Sequence, residues 1–283
     1  MMIVGVIGNV LVVRTVLSNK YMRTSLNMVL CNLAIADVLI LIFCLPPTII
    51  NDVTKTFWFS TVFCKGVLFI QNTSVYVSIF SLVFITIERW RAISYPLKRP
   101  LKWTRYILLG IWIMAMILSL PEPYTLRLHP AQFQRPNFTS IWGTQCKESW
   151  SSSFQRKYQL AQATACYLFP LILITCMCAH MMYRLRIRRP NFGTVNTNSG
   201  DRQLATRRRA IRMLMAVVVL FALSNLPVHV YNNALAFGLL APPSDEEEDL
   251  DMNMIALRKL LPRLCSYSSS CFNPILYNFA SGE

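Results

Sequence analysis

Seven apolar stretches, each close to the length that crosses a bilayer, follow one another along this chain. A hydrocarbon core about 30 Å thick and a rise of about 1.5 Å per residue require roughly 20 largely apolar residues per helix. The stretches are 2–17, 26–50, 61–87, 106–120, 158–183, 211–239 and 255–279. In lipid no water is available to the backbone, so such segments must bond internally as helices. The fold class expected is therefore an all-α membrane protein, a seven-transmembrane helix bundle forming one domain over residues 1–283. Composition agrees, with 54% hydrophobic and 14% charged residues against about 25% charged in soluble domains. The seventh stretch is the least apolar, carrying Arg258, Lys259, Arg263 and the serines Ser266, Ser268, Ser269 and Ser270.

A net charge of +15 would suggest nucleic acid in a soluble protein. Here no soluble fold exists to mount a basic patch, so nucleic acid is excluded as a partner. The basic residues sort by side instead. With Met1 outside, 18 Lys and Arg fall on the inner side and 10 on the outer, while nine of the 13 acids fall outside. The positive-inside rule then places the N-terminus outside and the C-terminus in the cytoplasm. Asn137-Phe138-Thr139 is a glycosylation sequon in the outer loop after span four. A second sequon, Asn72-Thr73-Ser74, lies inside span three and should be unused. Cys64 opens span three and Cys146 lies in that same outer loop, both in an oxidising compartment, which predicts a disulfide. Span one serves as the signal anchor. No internal repeat supports a transporter built on inverted halves.

An ionisable group at mid-membrane costs at least about 2.5 kcal/mol on insertion scales, so it faces the bundle or water. Asp37 is the one acid deep in a span, with Asn9 on span one and Asn273 on span seven as partners at similar depth. Ser78 and Ser270 add hydroxyls. Such a set suits a sodium ion, a water cluster or a packing network, and the residues alone leave all three open. Pro46, Pro47, Pro121, Pro170, Pro227 and Pro274 each remove a backbone donor. Pro227 and Pro274 stand beside polar residues and read as hinges.

These residues taken together resemble a rhodopsin-like (class A) G-protein-coupled receptor from end to end. The resemblance is carried by Gly8-Asn9-Val10, Leu33 to Asp37, Glu88-Arg89-Trp90, Trp112, Pro170, Phe221 with Pro227, and Asn273-Pro274-Ile275-Leu276-Tyr277. Finer stretches are similar to the orexin and allatotropin neuropeptide receptors: Met22-Arg23-Thr24, Cys44-Leu45-Pro46, Asp52-Val53-Thr54, Met213-Leu214-Met215 and Tyr277-Asn278-Phe279. The resemblance implies a plasma-membrane receptor for an extracellular peptide, coupling to a heterotrimeric G protein of the Gq class with calcium release. It implies no enzyme and no cofactor beyond an allosteric sodium ion at Asp37. Membrane lipids would meet the basic inner segments around Arg91, Lys98, Lys102 and Arg207–Arg209.

The resemblance also assigns roles residue by residue. Aminergic members carry an acid on helix three where this chain has Gln71, which disfavours a monoamine. Gln71, Asn232 and Tyr267 match pocket residues of orexin-type receptors, with Asp52, Gln159, Gln162 and His229 as further ligand-binding candidates. Glu88, Arg89, Trp90, Phe221, Pro227, Asn273, Pro274 and Tyr277 match the activation and G-protein-coupling positions. Three residues depart from the family pattern. Asn225 replaces the switch aromatic before Pro227. Arg207 stands where some members place an acid to pair Arg89, which would leave the bundle nearer its active state. Ser269 replaces an Asn of the sodium pocket. The outer run Asp245, Glu246, Glu247, Glu248, Asp249 and Asp251 would steer a basic peptide.

Competing expectations are a retinal protein, a transporter, a receptor for a small non-peptide ligand and a truncated, non-signalling receptor product. The first lacks a lysine between Cys265 and Ala280, and the second lacks paired mid-depth charges. The truncated product is expected from a chain that starts close to span one and stops at Glu283, before the amphipathic helix that follows helix seven in this family. His129, His180 and His229 are scattered, with neither metal-ligand spacing nor a nucleophile–base grouping.

Overall fold

The computed structural model describes residues 1–95, 103–130, 141–187, 197–240 and 252–281. Among these, seven long helices follow one another. They are α1 (Met2–Ser18), α2 (Ser25–Leu39, a π-helical turn Ile40–Cys44, then Leu45–Thr54), α3 (Thr61–Ser94) and α4 (Thr104–Ser119, with a last turn Pro121–Thr125). Then come α5 (Ser152–Gln162, a π-helical turn Ala163–Leu168, then Phe169–Ile187), α6 (Thr197–Ala236) and α7 (Met252–Ser281). Between α4 and α5 stands an antiparallel hairpin of β1 (Leu126–His129) and β2 (Gln145–Glu148), with Leu128 opposite Cys146. Five helices are long and apolar enough to cross a membrane: Ser25–Thr54, Thr61–Ser94, Thr104–Thr125, Ser152–Ile187 and Arg208–Ala236. Met2–Ser18 is apolar but shorter. Asn137, Lys98, Lys102 and the acidic run at 245–251 lie outside the described residues, as do the side chains of Arg207 and Tyr277.

Helix starts follow side-chain caps that satisfy otherwise orphaned amides. Thr24 accepts from the Asn27 amide to start α2, Ser60 from Phe63 to start α3, and Ser151 from Phe154 to start α5. The helices run past the hydropathy limits: α3 reaches Ser94 rather than 87, and α6 begins at Thr197 rather than 211. Hydropathy marks the hydrocarbon layer, whereas the hydrogen-bond ladder continues through Arg-rich turns into the headgroups.

Asp37 is the one acid expected deep in a span, and two further acids are buried nearer helix ends, Asp52 of α2 and Glu122 of α4. Pro121 is at home in the first turn of a helical segment, so α4 resumes after Ser119 and carries Glu122 inward. Glu122 is buried and accepts a hydrogen bond from the Asn72 amide of α3.

The prolines act where their freed carbonyls find partners. Pro274 cannot donate to Ser270 four residues back. Asn9 of α1 donates to that Ser270 carbonyl at 2.8 Å, and to Gly5 of its own helix at 2.8 Å. Both π-helical turns lie just before prolines, Pro46–Pro47 and Pro170, as expected where the ladder is broken. Near Pro227, whose missing amide frees the Leu223 carbonyl, the Tyr167 hydroxyl of α5 donates to the adjacent Ala222 carbonyl of α6 at 2.6 Å.

Packing follows membrane rules, with small residues allowing close approach and polar side chains bonding across helices. A Cβ on Gly5 would sit 2.7 Å from Leu41 and 2.9 Å from the Cys271 sulfur, and one on Gly8 would sit 3.1 Å from Pro274. α1 therefore lies against α2 and α7 only because these positions are glycine. Asn32 of α2 bridges α3 and α4, donating to Ser81 at 2.9 Å and accepting from the Trp112 indole at 2.7 Å. Around α3 the main core joins Val77, Ile79 and Leu82 to Ile174 and Met181 of α5 and to Ile211, Leu214 and Phe221 of α6. At one end of the bundle the Cys64–Cys146 disulfide ties α3 to β2, over a small cluster of Phe57, Leu126 and Leu128.

Candidate functional site

Helix α3 supplies a depth scale: Cys64 of the disulfide, Gln71 two turns on, Ser78 two turns further, and Glu88-Arg89-Trp90 near the opposite end. Polar groups gather at each of these levels.

At the Gln71 level, Tyr267 of α7 is almost wholly buried, and its hydroxyl donates to Gln71 Oε1 at 3.1 Å. The same hydroxyl lies 3.1 Å from that of Thr48 on α2. One turn toward the disulfide on both helices, Asp52 accepts from Arg263 Nη1 at 2.7 and 2.8 Å and pairs with Lys259 Nζ at 3.3 Å. Thr48 to Asp52 and Tyr267 to Arg263 are both steps of four residues, so the two contacts are successive rungs of one α2–α7 ladder. The Asp52 side chain is fully buried, while those of Lys259 and Arg263 are 38% and 34% exposed.

A second wall runs along α3, α5 and α6. Gln162 donates to the Tyr76 hydroxyl at 2.6 Å. The His229 ring stacks on Tyr167 with centroids 4.3 Å apart. Gln159 precedes Gln162 by one turn and Asn232 follows His229 by one turn, both half-buried. Outside the spans, burial pushes the Glu148 carboxyl of β2 above its ordinary range, and Gln155 donates to it at 3.4 Å.

Midway, Asp37 accepts from the Asn273 amide at 2.8 Å. A cavity of about 20 Å³ opens beside it, lined by Asp37, Ser74, Ser78, Ser269, Ser270 and Asn273 and continuing to Asn225, Ser266 and Phe221. That volume holds about one water, and its hard oxygen donors are of the kind a sodium ion takes. Asn9, expected beside the carboxylate, reaches Ser270's carbonyl instead, because the proline-freed acceptor lies closer to α1. Asn225 accepts from the Ser266 hydroxyl at 2.7 Å and donates to Phe221's carbonyl at 2.9 Å, so an interhelical polar bond occupies the switch-aromatic position.

At the far end, Glu88 Oε2 and Arg89 Nε are buried with no hydrogen-bond partner among the described residues. Arg89 borders a second small cavity with Leu26, Leu30, Met213, Leu214 and Val217. The Trp90 indole donates to His180 Nδ1 at 2.9 Å, which fixes the His180 proton, when neutral, on Nε2.

The structure thus joins Gln71, Tyr267 and Asp52 in one network, and sets Gln162 and His229 on a second wall. Sequence reasoning missed Thr48, Tyr76, Tyr167, Glu122, Lys259 and Arg263 as parts of these networks. The signal for the last two was present: 259, 263 and 267 recur every four residues and so share a helix face. By hydropathy alone they read only as weakness in an apolar span.

The sequence family described as 7 transmembrane receptor (rhodopsin family) matches residues 8–277. A QRFP-like peptide receptor of Branchiostoma floridae is 32% identical over 281 residues, covering 96% of this chain and 70% of that protein. This is a family of receptors rather than enzymes, resident in the plasma membrane as multi-pass proteins. With its helical bundle and a match over nearly its whole length, the chain belongs to the rhodopsin family of seven-transmembrane, G-protein-coupled receptors.

Proposed function

We propose that this chain receives an extracellular neuropeptide of the orexin or allatotropin kind and transmits its binding to a heterotrimeric G protein, with Gq-type calcium release. The observation that carries this reading is the Tyr267–Gln71–Thr48 network at the disulfide end. It presents amide and hydroxyl groups where a monoamine would need a carboxylate. The similarity to a QRFP-like peptide receptor of Branchiostoma floridae supports a peptide ligand, and the orexin-like stretches of sequence support the finer group. The N-terminus and the disulfide face outward, and Asn137 is glycosylated.

The mechanism is an equilibrium between bundle arrangements, and the ligand shifts it only by its differential affinity. A peptide end inserted between α3, α5, α6 and α7 contacts Gln71, Tyr267, Gln159, Gln162, His229 and Asn232. Movement of α6 about Pro227 then strains the Asn225–Ser266 bond and opens the far end. There Arg89, whose Nε has no hydrogen-bond partner among the described residues, meets the G protein. A sodium ion at Asp37, held with Ser78, Ser74 and Ser270, would favour the closed arrangement by supplying a charge that α6 and α7 pack around.

The test is calcium release in cells expressing the chain, challenged with orexin-, allatotropin- and QRFP-type peptides, with surface staining on the same cells. A response lost in Gln71→Ala at unchanged surface level is expected. Silence toward all three peptide classes with good surface staining would contradict the reading.

A further inference from the structure

We propose that Lys259 and Arg263 of α7, organised by the buried Asp52, form a carboxylate-recognising subsite at the mouth of the ligand pocket. Among the described residues, Lys259 supplies the positive charge that Asp52, already paired with Arg263, leaves unbalanced. The inference rests on the peptide-receptor reading above and adds to it the chemistry of one ligand group.

The charge balance carries the argument. Arg263 Nη1 reaches both oxygens of Asp52, so this pair is neutral on its own. Lys259 lies 3.3 Å from the same carboxylate, which makes two cations on one buried anion. Among the described residues, the other charges acting on Lys259 are Arg263 and Lys147 of β2, both positive. Arg258 adds another cation near Tyr231 on the facing helix α6. An ammonium has three donors and a guanidinium five, and Asp52 uses only part of that capacity. Both side chains are about one-third exposed, so each keeps surface that a ligand can reach. Arg263 stands one turn from Tyr267, which bonds Gln71, so a ligand reaching Gln71 passes these cations.

A structural pair alone would need one cation. The second is repelled by the first unless another anion arrives, and a charge-assisted bond to a carboxylate is the stronger kind. The carboxylate belongs either to an acidic side chain of the peptide or to its free C-terminus.

The probe is a synthetic library of random 12-residue peptides, made once with a free C-terminal carboxylate and once with a C-terminal amide. Each library is incubated with the whole chain in lipid nanodiscs, and retained peptides are identified by mass spectrometry. The expected result is about tenfold retention of carboxylate-bearing peptides over their Gln, Asn or amide counterparts. Enrichment confined to the free-acid library assigns the C-terminus, and enrichment in both assigns a side chain. Lys259→Gln, which keeps the Arg263–Asp52 pair and hence the fold, should abolish the preference. Lys259→Glu should turn it toward Lys- and Arg-bearing peptides, and Lys20→Gln at the opposite end should leave it intact. Retained peptides without a carboxylate preference, or a preference that survives Lys259→Gln, would overturn the subsite while leaving the receptor reading standing. A preference that emerges only once the acids at 245–251 are neutralised would overturn it in favour of an internal counter-ion. No retention above empty nanodiscs would overturn the subsite and the peptide reading together.

Discussion

Asn225 stands where the family resemblance leads one to expect an aromatic. An aromatic there would work by packing, whereas an amide works by hydrogen bonding, here to Ser266 across the α6–α7 seam. Interhelical bonds of this kind average about 0.6 kcal/mol in membrane bundles. A double-mutant cycle of Asn225→Ala and Ser266→Ala, read by thermal unfolding in detergent, should give a coupling of that order; strictly additive losses would deny the bond. Asp52→Asn should destabilise by about 1 kcal/mol, a figure discounted for the partial exposure of its two cations. At this scale the sequence was readable where a residue type is out of place in lipid. Asp37 announced itself as a mid-span carboxylate, and Asn273 as its partner. Asn9's partner was not readable, since it is a backbone carbonyl freed by Pro274, and carbonyls leave no trace in residue identity. Lys259 and Arg263 share a helix face with Tyr267 by their spacing, but their partner was not readable, because Asp52 lies more than two hundred residues away.

The helices depend on how each break in their ladders is repaired. Asn9→Ala removes the donor to the Ser270 carbonyl and should cost about 1–3 kcal/mol, the usual penalty for a buried unsatisfied group. Gly5→Val should cost a similar amount by overpacking against Leu41 and Cys271. Melting temperature in detergent checks both, and an unchanged Gly5→Val would mean that α1 does not pack this closely. On the hairpin, burial raises the Glu148 carboxyl. Its favourable contribution is therefore complete below the ordinary carboxyl range and is lost as pH rises through the raised value. Glu148→Gln should then be more stable than the parent at pH 7.5, with the gain shrinking as pH falls toward about 4.5. A gain independent of pH would assign it to something other than ionisation. Helix number and order were legible because hydrocarbon thickness imposes length. Helix ends were not, since capping by Thr24, Ser60 and Ser151 and continuation through charged turns lie outside hydropathy. The four-residue strands of the hairpin are too short to show a period.

The whole molecule has polar groups at both ends of the bundle and a small cavity beside Asp37 between them, and on the proposed reading its function is the coupling of the two ends. The disulfide, predicted from two cysteines on the outer side, fixes the hairpin over the pocket end. Glu88 and Arg89, without hydrogen-bond partners among the described residues for one oxygen and one nitrogen, leave the other end ready to take a partner. Linkage requires that if ligand binding favours G-protein engagement, the G protein raises ligand affinity by the same factor. The most direct measurement is the affinity of an activating peptide for the chain in nanodiscs, with and without nucleotide-free Gq-class protein. Coupling energies of this kind are about 1–3 kcal/mol, so affinity should rise at least about fivefold, and the rise should vanish in Arg89→Ala. Equal affinity in both conditions for a peptide that triggers calcium release would contradict the two-ended switch.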